Sequence, residues 1–228
     1  MMLPQLPLSL TPPRQPRFEN FVVGRNQAAV VTLRQGLLEG QWYLLSGPEG
    51  CGKSHLALAA LAEWAAQGRQ LRYVPCRDAR VIDLLAHCES EQVIVDDIDV
   101  LAASIEGERA LFNAMNAWRA GKATVLLTTS ARSAFVLPDL ASRVGQAAKL
   151  VLKPLDDAGL EQLISYLIHD FQLVPGRGLK DYLLRHGPRN GDRLTGLFEL
   201  MSRRALAERR VVSVPLAREC LEQSRAID

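Results

Sequence analysis

Apolar residues along the chain occur in short unbroken runs, separated by longer stretches in which they recur at helical spacing. Unbroken apolar runs are typical of parallel strands that are covered on both faces. The runs predict five strands, at residues 41–46, 70–75, 92–96, 123–128 and 148–152. The stretches at helical spacing predict helices at residues 26–38, 53–67, 78–88 and 106–119. Strands that alternate with helices predict an α/β fold with a parallel five-stranded sheet.

The two ends of the chain differ from its middle in their pattern of apolar residues and prolines. After Pro154 the strand-like runs largely stop, and four helices are predicted at residues 156–172, 178–186, 192–209 and 214–225. The first 17 residues contain five prolines, which fix the backbone and lack an N–H donor. We therefore predict a flexible leader over 1–17, an α/β domain over 18–154 and a small helical lid domain over 155–228.

Composition excludes some classes of protein but does not indicate a function. The 228 residues are 48% hydrophobic and 23% charged, which excludes a disordered or fibrous chain. A formal net charge of +2 gives no argument for direct binding of nucleic acid. The four cysteines show no CxxC spacing, which favours a reduced chain over one with two disulfides. With no apolar run near the ~18 residues of a membrane span and no signal-peptide pattern, we expect a soluble cytoplasmic protein.

A glycine-rich motif follows the first predicted strand. Residues 47–54, GPEGCGKS, fit the phosphate-loop pattern G-x-x-x-x-G-K-[ST] between a strand and a helix. Glycines let backbone N–H groups point at a phosphate, and the helix N-terminus adds partial positive charge. In this pattern Lys53 reaches the β- and γ-phosphates and Ser54 holds Mg²⁺. A glycine-rich turn that only caps a helix is the alternative. The predicted nucleotide-binding residues here are Gly47, Gly50, Cys51, Gly52, Lys53, Ser54 and His55.

An acidic pair ends the third predicted strand. The run Val93–Val95 leads directly into Asp96 and Asp97, at the sheet edge where the phosphate loop is expected. There Asp96 would position Mg²⁺ through a water molecule, and Asp97 would orient an attacking water. Taken alone, an apolar run that ends in aspartates is equally well explained by a strand followed by turn-forming residues.

These motifs together resemble the AAA+ ATPases, and within them the DnaA family of replication-initiation ATPases. The segment 18–24, FENFVVG, is similar to the one that precedes the first helix in DnaA proteins. The resemblance implies ADP or ATP with Mg²⁺ as the cofactor, and it places Phe21 and Val22 against the adenine. A hydrophobic staple at the helix entry explains the same residues and is compatible with that role.

Three further segments are similar to DnaA motifs. Residues 123–130 resemble the sensor-1 strand, whose polar end lies near the γ-phosphate and is represented here by Thr129. Ala131 stands where an acidic residue often follows in DnaA proteins, so strong ATPase activity is less expected. Residues 192–197 resemble the start of the sensor-2 helix, where Arg193 is our assignment and Arg189 the competitor.

The segment 137–143, LPDLASR, resembles the one that carries the arginine finger of the family. An arginine finger crosses a subunit boundary and stabilises charge on the neighbour's γ-phosphate. The resemblance therefore assigns Arg143 to catalysis in trans, and the alternative is a surface salt bridge.

The leader contains a peptide of interest. Residues 5–10, QLPLSL, resemble the Q-L-x-L-x-L peptide by which bacterial proteins bind the replicative sliding clamp. Glutamine supplies amide hydrogen bonds, and leucines on an extended backbone fill an apolar groove. The residues assigned to the clamp are Gln5, Leu6, Leu8 and Leu10. Because the chain ends soon after the lid, we expect no DNA-reading domain of the kind that DnaA carries.

The resemblance implies a negative regulator of chromosomal replication initiation. Tethered to clamps on DNA, it would dock on ATP-bound DnaA and stimulate ATP hydrolysis through Arg143, leaving inactive ADP-DnaA. DNA would be reached through the clamp rather than directly. Three alternatives stay open: a helicase loader related to DnaC, an autonomous ATPase that uses Asp97, and a non-catalytic bridge between clamp and DnaA. The resident nucleotide and a homodimer also stay open.

Overall fold

A computed structural model describes residues 15–130 and 134–225. The chain divides into two compact units between Pro154 and Leu155. The first unit begins at Pro16, and the second is formed by the described residues from Leu155 onward. The predicted clamp peptide at 5–10 and Ala131 both lie outside the described residues.

The first unit is built on one parallel sheet. Its strands are β1 Trp42–Gly47, β2 Leu71–Pro75, β3 Gln92–Asp96, β4 Thr124–Ser130 and β5 Ala148–Val151. Their order across the sheet is β2-β3-β4-β1-β5, and every pairing is parallel. The parallel five-stranded sheet predicted from the unbroken apolar runs is thus confirmed.

Five α-helices among the described residues of this unit cover the sheet. They are α1 Gln27–Gln35, α2 Lys53–Ala66, α3 Val81–Ala86, α4 Ile105–Ala120 and α5 Pro138–Gly145. Strand residues alternate between two buried clusters: Leu44, for example, packs with α3, α4 and α5, whereas Tyr43 packs with α1 and α2. Because successive strand side chains point to opposite faces, a strand buried on both faces is apolar at every position. This explains why the sequence shows runs rather than alternation.

Helix α5 was not predicted from the sequence. It has only eight residues, and so short a helix is unstable unless tertiary contacts hold it. Leu140 and Val144 anchor it in the core. At its start, the fully buried carboxylate of Glu108 on α4 accepts hydrogen bonds from the backbone N–H groups of Val136 and Leu137, at 2.8 and 2.7 Å. These contacts come from residues distant in sequence, so local spacing does not reveal them.

The second unit consists of helices α6 Asp157–Asp170, α7 Leu179–His186, α8 Gly191–Glu208 and α9 Val214–Arg225. Asp156 and Asn190 cap α6 and α8, since their side chains accept from backbone N–H groups in the first turn. Arg204 and Arg210 both bind the carboxylates of Glu208 and Glu219, which ties the end of α8 to α9. These two arginines are thus engaged within their own unit.

None of the described helices is both long and apolar enough to cross a membrane. All four cysteines are buried, and none of them forms a disulfide. Burial, with the nearby charge of Asp96, raises the pKa of the Cys76 thiol to about 12. That thiol is therefore protonated at neutral pH.

Candidate nucleotide-binding site

The predicted site residues of the first unit meet at the carboxyl edge of the sheet. Strand β4 lies between β1 and β3, and Gly47 at the end of β1 is level with Ser130 at the end of β4. Asp96 ends β3 on the other side of β4. In parallel sheets this edge is where ligands bind, because all strands deliver their final residues there.

The phosphate-loop segment turns sharply between β1 and α2. Gly50 and Gly52 have φ of +71° and +92°, a region that side chains other than glycine rarely adopt. A Cβ on Gly52 would also lie only 2.6 Å from the Phe21 ring. Glycine at 52 is therefore required both by the backbone and by the close approach of Phe21.

Lys53 begins α2 and is buried under the loop. Its Nζ donates to the backbone carbonyls of Gly47 and Pro48, at 3.1 and 3.0 Å. Because the N-cap residue Gly52 has no side chain, it cannot cap the first N–H groups of this 14-residue helix as serine or aspartate would. An ammonium group and a helix N-terminus of this kind suit a phosphate. Ser54, in the same first turn, is half-buried.

The segment before α1 lies against the loop. The Phe21 ring is 5.5 Å from the His55 ring, and the backbone carbonyl of Arg17 lies 3.0 Å from His55 Nε2. Val22 is buried. Phe21 and His55 are thus brought together beside the phosphate loop, whereas contact with an adenine stays a prediction.

Both carboxylate oxygens of Asp96 accept hydrogen bonds. Thr128 Oγ1 donates to Oδ1 at 2.5 Å, and the Tyr73 hydroxyl donates to Oδ2 at 2.9 Å. Burial, followed by the charge of Asp96, raises the pKa of the Tyr73 phenol, so the phenol keeps its proton and acts as donor. Asp96 is held from the strands on both sides of β3.

Asp97 has a different environment. Its backbone lies in the left-handed region with φ of +60°, and its N–H donates to Thr128 Oγ1 at 2.8 Å. Its carboxylate accepts from Arg77 Nε at 2.6 Å. That hydrogen bond is the main cause of the raised pKa of the Arg77 guanidinium. The predicted water-orienting acid is therefore engaged by an arginine of its own chain.

The end of β4 carries the predicted sensor-1 residue. Thr129 is buried, and its hydroxyl donates to the Ser130 carbonyl at 3.2 Å. The Ser130 N–H donates to Asp99 at 3.0 Å. Thr129 thus lies at the correct edge of the sheet, and its contact with a γ-phosphate stays a prediction.

Arg143 does not join this cluster. It lies on α5, where its guanidinium donates to the Asn116 side chain and stacks 4.8 Å above the Phe112 ring. Arg189 and Arg193 lie in the second unit. Arg189 pairs with Asp157 at 2.5 Å, and Arg193 follows the start of α8. The sensor-2 assignment therefore stays a prediction.

The sequence did not reveal three residues of the cluster: Tyr73, Arg77 and Thr128. Tyr73 and Arg77 come from β2 and the turn after it, 23 and 20 residues before their aspartate partners. A tyrosine in an apolar strand and an arginine in a turn carry no motif. The threonine pair that ends β4 was the one available signal for Thr128.

The comparisons with known proteins bear on the fold. Residues 43–155 match the model of the ATPase family associated with various cellular activities (AAA). Domain III of the Thermotoga maritima replication initiation protein DnaA is 16% identical with a TM-score of 0.75, over 93% of this chain and 98% of that one. AMPPCP-bound DnaA from Aquifex aeolicus is 21% identical with a TM-score of 0.67, over 87% and 68%.

The chain has the AAA+ fold. The sheet order and the helices on both faces match DnaA-like AAA+ domains. The fold is shared more widely: the Aeropyrum pernix Orc1 protein in complex with DNA is 19% identical with a TM-score of 0.60, over 97% of this chain and 68% of that one. This chain spans 66% of a DnaA chain solved with AMPPCP and single-stranded DNA.

Proposed function

We propose that this AAA+ chain binds ADP or ATP with Mg²⁺ and acts in the cytoplasm as an Hda-like regulator that inactivates DnaA. Lys53 and the N-terminus of α2 would hold the phosphates, and Phe21 and His55 would flank the base. Ser54 and Asp96 would hold Mg²⁺, which supplies charge neutralisation between the phosphates when bound. The hydroxyl and the buried carboxylate suit this hard cation, which prefers oxygen ligands.

The placement of Arg143 carries the proposal of action on DnaA. Helix α4 starts after β3, at the carboxyl edge of the sheet, and ends before β4 starts at the opposite edge. Arg143 contacts Asn116, about one turn before the end of α4. It therefore lies toward the edge opposite the chain's own phosphate loop. An arginine in that position is better suited to a nucleotide on another subunit than to its own.

The contacts of Arg143 within its own chain must be exchanged when the chain docks on DnaA. Its guanidinium donates to the Asn116 amide oxygen and lies over the Phe112 ring. A phosphate oxygen forms a stronger, charge-assisted hydrogen bond than a neutral amide does. We therefore propose that Arg143 exchanges Asn116 for the γ-phosphate of ATP on DnaA. Bidentate contact with phosphate requires the planar guanidinium, which lysine does not replace.

The clamp peptide predicts a dependence on loaded clamps. Replacing Gln5 and Leu8 with alanine should raise the chain concentration needed for half-maximal DnaA hydrolysis about 100-fold when clamp-loaded DNA is present. The reason is that a second, tethered contact raises apparent affinity by roughly 10²- to 10⁴-fold over that of a single contact. The measurement is phosphate release from ATP-DnaA, titrated with wild-type chain or with the double variant.

Pro13→Ala, in the leader but outside the peptide, is the matched control and should behave as wild type. Without clamps, the double variant and the wild type should give the same curve. Equal curves with clamps present would contradict the tether. A variant that lost binding to replicative helicase instead of clamp would favour the loader alternative.

The contact between Arg77 and Asp97 bears on the alternative of an autonomous ATPase. With Asp97 engaged, hydrolysis of the chain's own ATP should be slow. Arg77→Ala should raise that turnover about two- to fivefold, because an exposed ion pair contributes roughly 0.2–1 kcal/mol. Phosphate release by the purified chain without DnaA measures this.

Arg72→Ala is the control, since Arg72 is exposed on β2, the strand before the turn that carries Arg77, and lies near the end of β2 that is away from the site. An unchanged rate for the Arg77 variant would show that this contact does not restrain hydrolysis. Fast turnover by wild type alone would favour the autonomous ATPase.

A further inference from the structure

Tyr73 contacts the acid that is proposed to hold Mg²⁺, although no sequence motif includes it. Its hydroxyl donates to Asp96 Oδ2 at 2.9 Å from β2, while Thr128 donates to Oδ1 at 2.5 Å from β4. Strands β2 and β4 flank β3, so the Asp96 carboxylate is held from both sides. One donor on each oxygen prevents the carboxylate from rotating about its terminal bond.

Because Asp96 is buried, these two hydrogen bonds determine the orientation of its carboxylate. Only 6% of Asp96 is exposed, so water cannot readily replace a lost donor. A carboxylate has about four acceptor positions, and two of them remain after Tyr73 and Thr128 have bound. Their directions are set by the two hydroxyls. A carboxylate that binds a metal, directly or through water, depends on such partners for its orientation.

We propose that Tyr73 is a positioning residue that aims the Asp96 carboxylate at the Mg²⁺ of a bound nucleotide. The inference rests on the proposed nucleotide binding but not on the proposed action on DnaA. Tyr73 is half-buried and its ring packs against the core, so replacing it with phenylalanine removes the hydrogen bond and keeps the packing. Loss of the hydroxyl would leave Oδ2 without this donor and let the carboxylate rotate.

The test measures how much Mg²⁺ strengthens nucleotide binding. The affinity of the purified chain for a fluorescent ADP derivative is determined in Mg²⁺ and in EDTA, and the ratio is compared between variants. Tyr73→Phe should lower that ratio about tenfold, at the low end of the ~10- to 100-fold cost of losing such a partner. Affinity in EDTA should stay within about twofold. Damage to the fold would instead weaken binding in both conditions.

Tyr43→Phe is the matched control. Tyr43 lies on β1 of the same sheet, and its hydroxyl accepts a hydrogen bond from the Leu38 N–H in the loop before that strand, not from a group of the site. Its ratio should equal that of wild type. Thr128→Val removes the other donor to Asp96 and should lower the ratio as well, which provides a second variant. An unchanged or increased ratio in Tyr73→Phe would overturn the inference. Wild type that bound no nucleotide, or bound it equally in EDTA, would instead overturn the proposed Mg²⁺–nucleotide site.

Discussion

Arg143→Ala should abolish stimulation of ATP hydrolysis by DnaA. An arginine finger contributes about 10³- to 10⁵-fold to the rate, because it neutralises charge that develops on the γ-phosphate in a site that excludes water. We expect the variant to leave DnaA at its intrinsic rate even at saturating concentration. Single-turnover hydrolysis of ATP preloaded on DnaA, with clamp-loaded DNA present, is the measurement.

Two controls test whether the positive charge alone is sufficient and whether loss of any exposed arginine has the same effect. Arg143→Lys keeps the charge but not the planar fork, and it should recover only a small part of the activity. Arg72→Ala removes an exposed arginine from strand β2 of the same unit, away from α5, and should act as wild type. If Arg143→Ala stimulated DnaA as well as wild type did, the chain would be a bridge between proteins rather than an activator.

Lys53→Ala should weaken nucleotide binding about 100-fold. Removing one partner of a buried, hydrogen-bonded pair of charges costs roughly 2–5 kcal/mol, and the phosphates would lose the buried ammonium group of the loop. Equilibrium binding of a fluorescent ADP derivative checks this. If docking on DnaA requires a nucleotide bound to this chain, Lys53→Ala should lose stimulation of DnaA together with nucleotide binding.

The same substitution removes hydrogen bonds to the Gly47 and Pro48 carbonyls, so loop geometry needs its own control. Thermal unfolding without nucleotide reports that effect, and we expect only a small shift relative to the loss of binding. Lys149→Ala, on β5 with an exposed side chain, matches the change in charge and should bind as wild type. Undiminished binding by Lys53→Ala would contradict the assignment of residues 47–54 to phosphate.

Much of the AAA+ fold was predictable because it follows from local chemistry. All five strands were found. The inner strands β3, β4 and β1 are buried on both faces and therefore mostly apolar, whereas the edge strands β2 and β5 have apolar runs interrupted by an exposed arginine and an exposed lysine. The sharp glycine-rich turn after β1 was predictable because Gly50 and Gly52 adopt positive φ, which few other residues tolerate. Phosphate binding by this turn stays a prediction. The described helices of the second unit also lie where the helical spacing placed them.

Other features depended on contacts between distant residues. Helix α5 is too short to be stable alone, and it forms where Glu108 binds the N–H groups that precede it. The aspartate pair appeared equivalent in sequence, yet Asp96 is held by two hydroxyls whereas Asp97 pairs with an arginine. The sequence of residues 93–97 does not show which partners each aspartate has.

The sequence by itself therefore determined the five strands, their parallel sheet, most of the helices and the glycine-rich turn between β1 and α2, because periodicity and glycine geometry are local properties. Only the tertiary structure decided which groups surround the acids and where Arg143 lies. Those outcomes depend on which strands become neighbours: β2 and β4 flank β3, so Tyr73 and Thr128 reach Asp96. They depend equally on α4 running alongside α5, which places Arg143 on Phe112 and Asn116, toward the edge away from its own phosphate loop.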